Sequence, residues 1–541
     1  MADDGARIPP PEEVLGGSEG LDLLRSLVAL APTNLEDPVH HRYEKPNYGR
    51  TVDRIARIAR SYGLTTRIYD PLGDPASTVD LHGVPRPNLV ADLDVGAEER
   101  VLILTHYDVV PVPAEQLGRW ASPPHTLTRR ADGRLYARGA NDDLGSGVVA
   151  ALLALHRLTV DGSRRRNVRL LVCCDEETGG EGGIEAMKAH DERLAEHHPD
   201  RFIEGDVALI PDGSPHATAG SCGVAFLDAT FDGPVDLRAS IAYAHALIGL
   251  HDLASTWRSR FASPDWPDHL APAPFLTGRA TLTKFDLEGT PLPSDRPRLL
   301  LARAETDAAN QIAESVTVVF GGPAAGLDEL EGRLAGLLRP PFRLSHDVRT
   351  SLVPPAGSRT LQVVGRSAHG GYPHRGHNPV PAAIALLEAA DAAGWIDGAA
   401  ESVTTFAVDL RFTPEMAMDD GVSAALATLR SWARDHEPRA RIDAPAGRRR
   451  GGYALPYGDP HVGRLERFLL EELGEHGIFG EYGGTDASAL ATARTPGGGR
   501  MPALVFGSMD REAHIHEAEE SVDPRLWRGV RDTIYRFIAE P

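Results

Sequence analysis

The sequence predicts an α/β fold, a mostly parallel sheet interrupted by an inserted α+β domain. Three observations predict it. Short apolar runs of strand length recur along the chain, amphipathic stretches separate them, and the texture changes between about residues 226 and 414. Val101–Thr105, Val168–Cys174, Val207–Ile210 and Ala503–Phe506 are apolar on both faces, as suits central strands of a sheet covered by helices on both sides. Helical patterns such as Gly145–Leu158 lie between them, and that alternation marks an α/β architecture. The middle region holds Pro-rich connections, an alternating run at Ser315–Phe320 and a helical stretch at Leu327–Leu338. The expected division is a main domain over 1–225, an insert over 226–414 with an extra segment near 232–295, and the return of the main domain over 415–541.

Composition narrows the function classes. The 541 residues carry 56 Lys and Arg against 77 Asp and Glu, a net charge of −21, which argues against nucleic acid or an anionic membrane as partner. Three cysteines form neither a disulfide framework nor zinc-finger spacing, and Cys173 and Cys174 read as buried strand residues. The first residues are acidic and Pro-rich, unlike a secretory signal, and no run approaches ~18 continuous apolar residues. A cytoplasmic protein that spans no membrane is expected.

Chemistry concentrates where the apolar runs end. Val101–Thr105 leads into His106 and Asp108, Val168–Cys174 into Asp175, Glu176 and Glu177, and Val207–Ile210 into Asp212; a loop with His514 and His516 follows Ala503–Phe506. Ligand sites of open α/β sheets lie at such strand ends. His106 and Asp108, two apart, share a face, so the carboxylate is placed to fix the imidazole tautomer. Asp142 and Asp143 precede a Gly-Ser-Gly helix start; they read either as ordinary caps or as carboxylates bridging two cations. The acid triplet reads either as a solvated turn or, since neighbouring side chains diverge, as a metal ligand beside a general base. Two histidines and three carboxylates suit two borderline-soft divalent ions, zinc first, with cobalt or manganese as alternatives.

The segments HYDVVP (106–111), ARGANDD (137–143), DEETG (175–179), PDG (211–213), GRSAHGGYPHRGHNPV (365–380), GGTDA (483–487) and HEAEESV (516–522) occur in an order that resembles a known family. It is the dizinc amidohydrolase and exopeptidase family of peptidase V, carboxypeptidase G, aminoacylase, carnosinase and succinyl-diaminopimelate desuccinylase. The resemblance implies a dizinc catalytic domain interrupted by a lid. It implies that His106 and Asp212 bind one metal and Glu177 and His516 the other, with Asp142 bridging. Asp108 would orient His106, and Glu176 would be the general base. His516 is preferred to His514 because Glu520 follows it at the family's spacing of four. His369, Pro373, Gly376 and Asn378 match the lid signature, whose His stabilises the oxyanion. Asn310 and Arg411 match substrate-contacting positions, as does Asn378.

The long gap between Asp212 and His369 is similar to the enlarged lid of peptidase V, which completes the site within one chain, as a monomer or a homodimer. The implied activity is amide hydrolysis in a small peptide, dipeptidase-like. N-acyl amino acid deacylase, carboxypeptidase, a biosynthetic amidohydrolase and a non-catalytic metal-binding relative are the alternatives. One departure touches the core motif: Leu144 stands where the family commonly has Lys. The basic triplets Arg164–Arg166 and Arg448–Arg450 read as solvated loop charges.

Overall fold

In the computed structural model the apolar runs lie side by side. The described residues are all except 1–16, 34–46, 80–82, 113–116, 164, 196–197, 260–276, 290–293, 305–310, 347–353, 372, 374–375, 398–401, 446–448, 457, 475–476, 484 and 491–492. Asn167–Cys173, Arg100–His106, Val207–Ile210 and Ala503–Val505 are consecutive and parallel at the centre of a nine-stranded sheet. Their side chains are buried on both faces, which explains why these runs do not alternate. Asn88–Leu93 and Thr65–Tyr69 add antiparallel strands on one side. On the other side, Ala217–Ser221 is antiparallel to Ala503–Val505 and to Tyr453–Ala454 and parallel to Ile478–Glu481. The sheet is therefore mixed, with four parallel strands side by side at its centre.

The insert builds a second sheet, nine-stranded and antiparallel throughout among the described residues, in which Arg279–Gly289 lies between Arg298–Ala304 and Ser402–Phe412. The segment near 232–295, expected as an addition, supplies that strand and the helix Leu237–Ala254 packed on it. The end of the insert also differs from expectation. Helix Met418–His436 and strands Ala440–Asp443 and Arg449–Arg450 belong to the second layer, so the chain returns to the first sheet near residue 450 and not 414. The two layers have separate apolar cores.

One helical stretch among the described residues, Leu144–Asp161, is long and apolar enough to cross a membrane, with a mean hydropathy of 1.3 over 18 residues. It is 67% buried inside the protein and packs against the C-terminal helix Pro524–Ala539, as the core helix of a sheet layer does.

Candidate metal centre

The strand ends bring five expected ligands together. His106, the last residue of its strand, points Nε2 at Asp142 Oδ1 (3.1 Å), with Asp212 Oδ2 3.7 Å away. His516 Nε2 lies 2.9 Å from Asp142 Oδ2 and 2.9 Å from Glu177 Oε2. Asp142 thus turns one oxygen to each histidine, and two donor groups share it. His514 stays outside the cluster, half exposed, 3.8 Å from Glu517.

Each acid of the 175–177 triplet takes a different direction. Asp175, in a left-handed backbone conformation, turns inward to Arg86 Nε (2.7 Å) and the Tyr48 hydroxyl (3.1 Å). Burial raises its carboxyl to about 6, with Arg86 opposing. Glu177 joins the ligand cluster, while Glu176 turns away to Arg450 Nη1, 3.0 Å from its Oε1. The backbone amides of Glu176 and Glu177 donate to the two carboxylate oxygens of Asp108, at 3.1 and 3.2 Å. Asp108 therefore braces the loop as well as flanking His106, whose Nδ1 is 3.5 Å from its carboxylate and 3.1 Å from its carbonyl oxygen.

Glu520 has a role beyond marking His516. It is buried and accepts hydrogen bonds from the amides of Gly139, Asn141 and Asp142 and from Arg138 Nη1 (2.7 Å). Those bonds shape the loop that presents Asp142. Glu520→Ala would strand Arg138 as a buried charge and should cost about 3–5 kcal/mol. Denaturant unfolding checks this, and a loss below about 1 kcal/mol would contradict it.

The donor set fits divalent cations. His106, Asp142 and Glu177 each present one ligand atom within 4.8 Å of the others. The electrostatics of the metal-free pocket are strained in the direction that cations relieve. Burial raises Glu177 to about 7 against the pull of His516, and it drives Asp212 well above the carboxylate range against that of His106. Burial opposes ionisation of Asp142 too, but hydrogen bonds with His106 and His516 outweigh it and hold that carboxylate low. Both imidazoles are raised, since their carboxylate partners overcome burial. Proton loss must accompany metal uptake, so affinity should climb from roughly pH 6 to 8. A chelator-competition titration at both ends checks this, and a flat response would contradict it.

Other expected residues have separate duties. Arg411 is 2% exposed, and its Nε and Nη2 close onto Asp409 at 2.5 and 2.7 Å while Nη1 donates to Tyr482 O. The guanidinium expected to contact substrate is thus already paired with the chain's own carboxylate. Asn378 caps helix Pro379–Ala392 by accepting from Val380 N and donates to Leu282 O, both contacts within the lid. His369 lies on a short strand opposite Gln311, with its side chain outside the described residues, as is all of Asn310. A cleft of about 520 Å³ opens beside His516, lined by Arg119 and His514 from the first layer and Gln311, Glu314 and Arg366 from the second. Arg119 and Glu314 form an ion pair across it.

Known proteins share parts of this sequence and its fold. Cys-Gly metallodipeptidase dug1 of Schizosaccharomyces pombe is 32% identical over 176 residues, 30% of this chain and 34% of that protein. Human aminoacylase-1 is 32% identical over 142 residues, 26% of this chain and 32% of that one. The match thus spans about a third of the length of these curated relatives. The M20 family metallo-carboxypeptidase Sso-CP2 from Sulfolobus solfataricus shares the fold, with a TM-score of 0.57 at 13% identity over 96% of this chain and 98% of that one. The pattern described as peptidase family M20/M25/M40 matches residues 102–540, and the chain belongs to that family.

Proposed function

We propose that the chain is a metal-dependent hydrolase of an amide bond in a small peptide. One observation carries the reading: five ligand side chains converge at the strand ends while Glu176, beside them in sequence, is kept out of the cluster. His106 and Asp212 would hold one divalent cation and Glu177 and His516 another, with Asp142 between them; zinc is preferred, with cobalt or manganese as alternatives. Such cations, when bound, supply an activated water and polarise the scissile carbonyl. Glu176 takes the proton of the attacking water at its carboxylate and returns it to the leaving nitrogen. Asp108 keeps that loop in place through the two amides it accepts from. His369, carried on the lid, would donate to the carbonyl oxygen as charge gathers there.

The likeness to dug1 favours a dipeptide, and that to human aminoacylase-1 supports an N-acyl amino acid as the second reading. A panel of dipeptides and N-acyl amino acids, assayed for amino acid release with and without chelator, separates them. Chelator-sensitive release from dipeptides supports the first reading, and release from acylated amino acids alone supports the second. Two bound metals with no turnover of either class would contradict both.

A further inference from the structure

Arg450 is not a solvated loop charge. Its side chain is 12% exposed, and it stands on strand Arg449–Arg450, paired with Val224 on the strand Gly223–Phe231 of the lid sheet. Three residues on, Tyr453 pairs with Ser221 in the other sheet. The two passages between the layers lie side by side here. A Cβ on Gly452 would meet Gly223 N and Ser221 O at 2.8 Å, so this crossing requires glycine. From this junction the guanidinium reaches back to the first layer. Nη1 lies 3.0 Å from Glu176 Oε1 and 3.3 Å from Asp486 Oδ1. Nη2 faces Gly180, where a Cβ would stand 2.8 Å away and the backbone has φ +74°. The cation is thus boxed by two carboxylates and a loop that has no room for a side chain.

We propose that Arg450 is the positioning residue for Glu176, holding Oε1 so that Oε2 is the oxygen that exchanges the proton. This rests on the reading of Glu176 as the general base. A guanidinium has a fixed planar donor fork, so a buried one sets the direction of a carboxylate more tightly than a lysine ammonium does. The hydrogen bond ties the base, at the end of a main-sheet strand, to the strand where the lid rejoins that sheet. Misplacement of a reacting group by about 1 Å costs on the order of 10²-fold in rate.

The test is a double-mutant cycle on the metal-loaded enzyme, using the best substrate of the panel and following kcat, KM, bound metal and thermal midpoint. Arg450→Met should lower kcat by about 10²-fold with KM and two bound metals retained. Arg450→Lys should restore part of that loss. In a Glu176→Gln background Arg450→Met should cost nothing further, because the side chain it orients no longer takes a proton. Equal losses in both backgrounds, or a kcat within about twofold of wild type, would overturn the proposal. If Arg450→Met fails to fold, the same cycle is read with Arg450→Lys, whose loss of fork geometry should lower kcat only when Glu176 is present. Should Glu176→Gln itself keep full turnover, the assignment of the base fails. A dead Glu176→Gln beside a fully active Arg450→Met overturns this inference alone.

Discussion

Replacing Glu176 by Gln is expected to cut turnover by about 10²–10⁴-fold while leaving two metals and substrate affinity in place. The substitution preserves shape and the hydrogen bond from Arg450 to the side-chain oxygen but removes the site that takes a proton. The five proposed ligand side chains do not include Glu176, so the metal site should not notice the change. A lowered kcat at unchanged KM and metal content would match the loss of an interaction made only in the transition state. Wild-type turnover would remove Glu176 from its role.

The second large effect belongs to Asp142. Its two oxygens face His106 and His516 at 3.1 and 2.9 Å, so it reaches both halves of the cluster. Asp142→Asn keeps the volume and removes the charge shared between the two halves. Metal affinity should fall by more than the roughly 10–100-fold that outer-shell partners are worth, and activity should fall with it. Metal analysis after dialysis should find fewer than two ions per chain. Full occupancy with full activity would show that Asp142 does not bridge.

Much of the proposed ligand cluster was legible because strand ends fix geometry. A residue that closes a buried parallel strand emerges at one edge of the sheet, so His106, the 175–177 triplet and Asp212 were bound to be neighbours once the sheet formed. The limits of the insert were harder to see. Helix Met418–His436 and strands Ala440–Asp443 and Arg449–Arg450 follow the Pro414 connection, and nothing local says which of two sheets they join. Arg411 carries a local signal of its ion pair. Asp409 lies two residues before it on the same strand, hence on the same face, where opposite charges pair. Arg450 carried none, because its partner Glu176 is 274 residues away in the chain and a charge triplet beside two glycines looks like an exposed loop. The spacing marks Asp108 and Glu520 as companions of histidines, and their hold on backbone amides of neighbouring loops emerges only in three dimensions.

The most direct measurement is metal stoichiometry against activity. The protein would be stripped with chelator and titrated with zinc, while bound metal and amino acid release from the substrate panel are followed together. The account predicts that activity is absent from the stripped protein and returns as occupancy approaches two ions per chain. Saturation at a single ion, or hydrolysis that persists in the stripped protein, would contradict it.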